Sequence, residues 1–162
     1  MKGIVITDLD RAFMREAIRI ANESVRLGGG PFGAVIVKNG QIVAGNANRV
    51  TIDIDPTAHA EVNTMRKACQ KLVTFDLSDC IISTSCEPCP MCLGAIYWAR
   101  IKKVFYGNTK KDAADINFAD DFIYKELEQH YGERTVPFIP LLRDEAIETF
   151  RAWEAKQDKV EY

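Results

Sequence analysis

Residues 84–92 read Thr84-Ser85-Cys86-Glu87-Pro88-Cys89-Pro90-Met91-Cys92, and they hold three of the five cysteines of the 162-residue chain. Upstream, residues 56–61 read Pro-Thr-Ala-His-Ala-Glu, which places His59 two residues before Glu61. Together the two segments form the pattern His-x-Glu followed by Pro-Cys-x-x-Cys. Both histidine and cysteine bind transition metals, so this pair of segments predicts the functional centre of the chain.

The predicted metal is zinc, because zinc prefers thiolate and imidazole ligands in a tetrahedral shell. A catalytic zinc site keeps three protein ligands and one position for water, and His59, Cys89 and Cys92 supply these three. We therefore expect one Zn²⁺ per subunit. Zinc lowers the pKa of a bound water from about 16 to about 7, so hydroxide is available at neutral pH. His-x-Glu with Pro-Cys-x-x-Cys is the signature of zinc-dependent nucleobase deaminases, in which the Glu carries protons without binding the metal, here Glu61.

The spacing of these residues predicts two helix starts. Cys89 and Cys92 share one face if a helix begins at Cys89, and Pro90 suits the first helical position. His59 and Glu61 are only two residues apart, so they can converge only at a helix end. Asp55 or Thr57 is predicted to cap this second helix, with Pro56 as its opening residue; the spacing does not decide between the two caps.

Length and composition predict a single domain over residues 1–162 with a sizeable core, since 47% of the residues are hydrophobic. The net charge of −2 argues against a nucleic-acid partner. No apolar run is long enough to span a membrane, and the start of the chain lacks a signal-peptide pattern. Clustered cysteines are typical of metal ligands in a reducing compartment, so we expect a cytoplasmic location.

The hydrophobic pattern predicts an α/β fold. Helices are expected over 8–27, 59–72, 90–99, 120–131 and 144–156, and strands over 32–37, 41–47, 79–84 and 103–106. Asn39-Gly40 predicts a hairpin between the first two strands. The strand–helix–strand segment 79–106 predicts a parallel crossover with the active site at the carboxyl ends of the strands.

Finer expectations accompany these elements. Asp8 or Asp10 is expected to cap the first helix. The apolar helix 90–99 is expected to be buried on most sides. Residues 108–119 are expected to be mostly loop, and residues 137–142 to be extended.

Several residues have an ordinary structural interpretation beside a functional one. Cys86 and His130 are possible fourth ligands of a structural zinc site, although Cys86 is expected near the site without binding and His130 on the surface. Asn48 fits a turn, Asp120 a helix cap and Tyr162 a loose chain end. A non-catalytic zinc-binding module is the alternative of another class, and Glu61 argues against it, because a structural zinc does not need an adjacent acid.

Four segments give the chain a resemblance to bacterial guanine deaminases of the cytidine-deaminase-like fold. They are residues 29–37, 55–62, 84–100 and 121–126, and the terminal Glu161-Tyr162 also matches. The Phe-Ile-Tyr-Lys-Glu run at 122–126 and Tyr162 are the more selective features. The resemblance implies a three-layer α/β/α sandwich around a mixed five-stranded sheet.

The resemblance also implies an activity: hydrolysis of guanine to xanthine and ammonia, with hydroxide attacking C2. It implies a homodimer in which a C-terminal segment, about residues 133–162, is exchanged between subunits. Asn48 would hydrogen-bond the purine, Asp120 would assist proton transfer or bind the base, and Tyr162 would close the partner's pocket. Phe32, Ala60 and Trp98 would complete the contacts with the substrate.

A tRNA adenosine deaminase, or a deaminase of another free base, shares the metal motif and is the closest alternative. An enzyme that binds tRNA must attract a polyanion, and a basic stripe should be visible in its sequence. The final segment instead alternates acidic and basic residues, which favours a small substrate.

Overall fold

The computed structural model describes residues 5–118 and 120–162. The chain forms two compact units, one ending at Asp121 and the other spanning Phe122–Tyr162. The first contains α1 (Asp8–Arg26), β1 (Gly33–Lys38), β2 (Gln41–Ala47), α2 (Val50–Asp53), α3 (Ala60–Leu72), β3 (Cys80–Cys86), α4 (Pro90–Trp98), β4 (Lys103–Asn108) and α5 (Lys110–Asp115). The second contains α6 (Asp121–Glu128), a 3-10 turn (Tyr131–Glu133) and α7 (Arg143–Ala155).

The described strands form one mixed sheet in the order β2-β1-β3-β4. β1 is antiparallel to β2 and to β3, whereas β3 and β4 are parallel and are joined by α4. This confirms the predicted α/β class and the crossover. The described residues form four strands, so the five strands implied by the resemblance are corrected to four.

The β1–β2 hairpin follows from its turn residues. Asn39 and Gly40 both have positive φ, 51° and 74°, as a type I′ turn requires. Successive side chains of β1 then point to opposite faces of the sheet. Ala34 and Ile36 join the core cluster that contains residues of α3 and α4. Val35 and Val37 pack with Ala17 of α1. The sheet is therefore covered by α1 on one face and by α3 and α4 on the other, which is the predicted three-layer sandwich.

The local prediction about the cap of α1 was wrong. Thr7, rather than Asp8 or Asp10, caps α1: its hydroxyl accepts from the Asp10 amide, and the Asp10 carboxylate accepts from the Thr7 amide. Thr109 and Asp112 make the same reciprocal pair at the start of α5. Each pair satisfies two amide groups that the first turn of a helix otherwise leaves unpaired.

Three predictions about elements also need correction. The segment 108–119, which was expected to be mostly loop, contains helix α5. The predicted helix 120–131 ends at Glu128 and is followed by the 3-10 turn. Helix α4 is buried through Cys92 and Ile96, but Tyr97 and Trp98 are 75% and 70% exposed. Its uniformly apolar sequence therefore does not reflect burial on most sides within one chain.

The second unit has its own local contacts. The guanidinium of Arg134 stacks against Tyr131 and Phe138, at 4.5 Å and 5.1 Å from the ring centroids. The Glu126 carboxylate accepts from the amide and the hydroxyl of Thr135. Residues 137–142 have no regular secondary structure, and Leu142 has a left-handed backbone, so the segment is not extended to its end as expected. Across the described ranges, no helix combines the length and the apolar character that crossing a membrane requires.

Candidate active site

The first part of the site is the N-terminus of α3. His59 occupies the N-cap position with an extended backbone, φ −70° and ψ 155°, and its side chain makes no cap hydrogen bond. Asp55 and Thr57 therefore do not cap α3, contrary to the prediction. Asp55 instead accepts from the amide and the hydroxyl of Thr57, both at 2.8 Å, which shapes the turn before the helix. The imidazole of His59 is therefore not used in capping and is available to bind a metal. Glu61 follows in the first turn of α3.

The second part is the N-terminus of α4. Cys89 is the N-cap residue and Pro90 opens the helix, as predicted. The missing amide of proline costs nothing at this position, because the first amides of a helix have no intrahelical partner. Cys92 follows one turn later and is completely buried. The two helix starts bring their partial positive charges to one point, where thiolates are favoured.

The predicted ligands converge. His59 Nδ1 lies 3.5 Å from Cys89 Sγ and 3.6 Å from Cys92 Sγ. In a tetrahedral zinc shell, bonds of about 2.1 Å to nitrogen and 2.3 Å to sulfur place these atoms about 3.6 Å apart. The two distances from the His59 nitrogen thus match a zinc shell, and all three donor atoms lie within 4.8 Å of one another. In the described part of the chain, these three residues are the one group of His, Cys, Asp or Glu side chains so arranged.

The thiols have strongly perturbed acidity. A hydrogen bond from Cys92, and then the neighbouring His59 ring, lower the pKa of Cys89 to about 4. The hydrogen bond with Cys89, together with burial, raises the pKa of Cys92. A thiolate at Cys89 beside an imidazole provides the negative donor set that a divalent cation requires.

Glu61 lies beside this cluster and is not part of it. Its side chain is buried; Oε1 accepts from Thr84 Oγ1 at 2.7 Å, and Oε2 accepts from Cys92 Sγ at 3.4 Å. Burial raises the pKa of the Glu61 carboxyl, against the opposing effect of the Thr84 hydrogen bond. A carboxyl group whose proton affinity is raised in this way suits a group that takes up and releases protons near neutral pH.

Neither possible fourth ligand, Cys86 or His130, belongs to the cluster of His59, Cys89 and Cys92. Cys86 Sγ donates to the carbonyl of Thr109 at 3.7 Å, and burial raises the pKa of this thiol to about 11. Cys86 is therefore a protonated thiol, as expected of a residue near the site that does not bind metal. His130 belongs to the second unit, at the N-cap of the 3-10 turn, and is exposed.

A cavity of about 570 Å³ opens over the cluster. It is bounded by the glycine turn, the α2 region, the two ligand segments and the segment around α5: Gly28, Gly29, Gly30, Pro31, Phe32, Asn48, Val50, Thr51, Pro56, His59, Cys86, Glu87, Cys89, Lys110, Ala113, Asn117, Phe118 and Asp120. The Phe32 ring meets the Phe118 ring edge to face at 5.1 Å. This aromatic corner gives a flat substrate an apolar surface.

Asn48 lies in the wall of this cavity and is buried. Its amide N–H donates to the Phe32 carbonyl at 2.9 Å, and its own carbonyl accepts from Ser24 Oγ at 3.2 Å. Its side-chain Oδ1 accepts from the Val50 amide at 3.2 Å. A Cβ at Gly30 would lie 2.9 Å from this oxygen, so the glycine leaves the room that the Asn48 side chain occupies.

Asp120 lines the same cavity, directly before α6, and is half-buried. Burial raises the pKa of its carboxyl, and the negative charge of Cys89 acts in the same direction. Its position suits a helix cap and a contact with substrate equally.

The other expected contacts are placed differently. Ala60 is completely buried beside His59 and does not line the cavity. Trp98 is exposed on α4 and is also absent from the cavity wall, so no contact with substrate within one chain is seen for it. Tyr162 belongs to the second unit and is exposed.

Sequence reasoning missed the role of Thr84 and the contribution of α5. Thr84 reaches Glu61 across 23 positions, and nothing local in the sequence indicates such a contact. Helix α5 had a usable signal, since Thr-x-x-Asp at 109–112 is a helix-start pattern.

An acid that touches a metal ligand without joining the ligand cluster has no use in a purely structural zinc site. The arrangement therefore defines a hydrolytic zinc enzyme, and its motif is that of the zinc-dependent deaminases. The sequence model of the cytidine and deoxycytidylate deaminase zinc-binding region matches residues 7–108, and the chain belongs to this family.

Individual relatives agree with this assignment. The chain is 54% identical to the guanine deaminase of Bacillus subtilis, over 93% of this chain and 97% of that protein. The crystal structure of guanine deaminase from Bacillus subtilis superposes with a TM-score of 0.91, over 94% of this chain and 98% of that chain, at 54% identity. A tRNA-specific adenosine deaminase of Bacillus subtilis is 39% identical, over 60% of this chain and 61% of that protein.

Proposed function

We propose that the protein hydrolyses guanine to xanthine and ammonia. The observation that carries this proposal is the buried Glu61 carboxyl, held beside the His59, Cys89 and Cys92 donors, of which His59 and Cys89 line a cavity. The near full-length similarity to a guanine deaminase, at 54% identity, supports guanine as the substrate. The similarity to a tRNA-specific adenosine deaminase covers only 60% of the chain.

His59, Cys89 and Cys92 would hold one zinc ion per subunit. When bound, zinc supplies the Lewis acidity that makes water a nucleophile at neutral pH. Glu61 would take one proton from the attacking water and pass it to a ring nitrogen of the purine. It would then take the second proton, from the hydroxyl now bonded to C2, and pass it to the amine, so that the C2–N bond breaks, ammonia leaves and the C2 carbonyl of xanthine forms. Its raised pKa supports both directions of transfer.

The cavity wall would orient the purine. The Asn48 side chain offers an N–H donor and a second lone pair on Oδ1, so it can donate and accept at once. A wrong base would leave such buried groups unpaired, at a cost of about 1–3 kcal/mol each. Phe32 would pack on the ring, and Asp120, which lines the same cavity, would bind the base or assist proton transfer.

We also propose that the protein acts as a homodimer in which residues 133–162 cover the partner's pocket through Tyr162. Exposed apolar side chains support a partner: Tyr97 and Trp98 in the first unit, and Phe138, Ile139, Leu141 and Phe150 in the second. Apolar surface of this extent commonly marks an interface.

The five unpaired cysteines support a reducing, cytoplasmic location.

The test is ammonia release by the zinc-loaded protein from guanine, adenine, cytosine, their nucleosides and a tRNA anticodon stem-loop. We expect release from guanine, with xanthine as the second product. Release from the stem-loop in preference to guanine would reassign the protein to tRNA editing. No release from any substrate by protein with a full complement of zinc would overturn the proposal.

A further inference from the structure

Thr84 occupies the centre of the sheet. It lies on β3, which is paired with β1 on one side and β4 on the other, and its backbone neighbours are Ala34 and Tyr106. Its side chain is completely buried. The side chain of a β-branched residue held by two neighbouring strands has little rotational freedom. The Thr84 hydroxyl is therefore a fixed hydrogen-bond donor, and it points at Glu61 Oε1 from 2.7 Å.

The two oxygens of Glu61 have different surroundings. Oε1 faces the Thr84 hydroxyl, whereas Oε2 lies 3.4 Å from Cys92 Sγ, on the side of the metal ligands. The last torsion of a glutamate side chain is broad and nearly two-fold, so the carboxyl group can turn unless a partner holds it. In the described surroundings, Thr84 is the neutral hydroxyl donor that holds this carboxyl group.

We propose that Thr84 is a positioning residue that assigns separate tasks to the two Glu61 oxygens. Because the Thr84 hydroxyl donates to Oε1, this oxygen anchors the carboxyl group on β3, and Oε2 is held toward the metal ligands. Thr84 itself exchanges no proton and touches no substrate. This inference rests on the proposed deaminase function. It makes the rate of proton transfer depend on Thr84, a residue that does not bind the metal.

The experiment compares Thr84→Val, which keeps the shape and removes the hydroxyl, with Thr84→Ser, which keeps the hydroxyl. We expect Thr84→Val to lower kcat for guanine about ten- to a hundredfold, part of the 10²–10⁴-fold that positioned acid–base groups contribute, while KM and zinc content stay near wild type. Thr84→Ser should recover most of kcat. Thr84→Ala removes the same hydroxyl and is measured in parallel, so the result does not depend on the folding of one variant.

Ser83→Ala is the matched control. Ser83 is the adjacent residue on β3, equally buried, and its hydroxyl has no hydrogen-bond partner among the described residues. Its side chain points to the opposite face of the sheet. Loss of this hydroxyl should leave kcat unchanged, which separates loss of the Thr84 contact from a general disturbance of the strand.

A second comparison identifies the residue through which Thr84 acts. In a Glu61→Gln background, Thr84→Val should have no further effect on kcat, because the proton carrier is already absent. An active wild type with an unchanged kcat in Thr84→Val, or an equal loss in both backgrounds, would overturn the positioning role. An inactive wild type would instead count against the proposed function itself.

Discussion

Glu61 is a buried acid, and burying a carboxyl group costs free energy unless it is hydrogen-bonded or neutral. Glu61 is hydrogen-bonded, since Thr84 and Cys92 contact its two oxygens. Burial also raises the pKa of its carboxyl group, which favours the neutral form. A residue required only for stability would more simply be apolar at this position, so Glu61 is best explained by proton transfer.

Glu61→Gln should keep zinc and lose turnover. Glutamine has nearly the same shape and can accept the Thr84 hydrogen bond, but it cannot carry the proton. We expect kcat for guanine to fall by about 10²–10⁴-fold, with zinc content and the thermal unfolding midpoint near wild type. Steady-state kinetics and metal analysis of the purified variant check this expectation. Substantial activity in zinc-loaded Glu61→Gln would remove the role from this residue.

Gly30→Ala should impair substrate binding through Asn48. The added Cβ would lie 2.9 Å from Asn48 Oδ1 and 3.0 Å from its Cγ, so the Asn48 side chain must move. Loss of one well-placed polar contact of about 1–2 kcal/mol corresponds to a rise in KM of about tenfold. Gly132→Ala, where an added Cβ meets no atom within 4 Å, is the matched control. Equal KM values in the two variants would contradict a binding role for Asn48.

The metal ligands and Glu61 could be predicted from sequence because each pair is close along the chain and shares a helix start. His59 and Glu61 belong to one turn, and Cys89 and Cys92 to another. Thr84 could not be predicted in this way, because its contact with Glu61 depends on the sheet that brings β3 against α3. Local spacing therefore predicts the candidate ligands, and tertiary structure adds the contact between Thr84 and Glu61.

At the scale of elements, the hairpin and the crossover were predictable because Asn39-Gly40 and the apolar strands dictate them locally. The errors lie where two local signals compete. Thr7 and Asp10 are both residue types that can cap a helix. The reciprocal hydrogen bonds show that Thr7 is the cap of α1 and that Asp10 is its partner in the first turn. Helix α4 is apolar all round, and its sequence does not reveal which side faces the core and which side is exposed.

Asp76 should stabilise the loops around α4 in a pH-dependent way. Its carboxylate accepts from Ser78 and from Arg100, at the end of α4, and these contacts lower its pKa to about 2. A folded-state pKa below the ordinary value means that the stabilisation is present above about pH 4 and is lost as the pH falls toward 2. Asp76→Asn should therefore lower the free energy of unfolding at neutral pH and have little effect near pH 2.

Urea unfolding of the wild type and of Asp76→Asn, from about pH 6 down to about pH 2, measures this difference. Asp115→Asn is the control, since Asp115 pairs only with Lys111 on the surface of α5 among the contacts described, and such pairs contribute little. A difference between wild type and Asp76→Asn that stays constant over the whole range would show that the charge of Asp76 is not responsible.

At the scale of the whole molecule, the apolar side chains that remain exposed are as informative as the core. One set lies on α4, where Tyr97 and Trp98 are exposed, and another lies in the second unit, where Phe138, Ile139, Leu141 and Phe150 are exposed. The proposed homodimer with an exchanged C-terminal segment accounts for both sets. It also gives a role to Tyr162, whose position at the end of the chain matches the guanine deaminases.

Deletion of residues 160–162 should cripple guanine turnover and leave cooperative unfolding intact, because no core residue is removed. Mixing subunits distinguishes a tail that serves the partner from one that serves its own chain. If truncated chains are refolded together with equal amounts of full-length Glu61→Gln chains, each mixed dimer contains one site with Glu61 intact and a complete tail supplied by the partner. Random pairing then restores about a quarter of the wild-type activity, although each parent is inactive alone. A tail that acts within its own chain restores nothing, since no chain in the mixture carries both Glu61 and Tyr162.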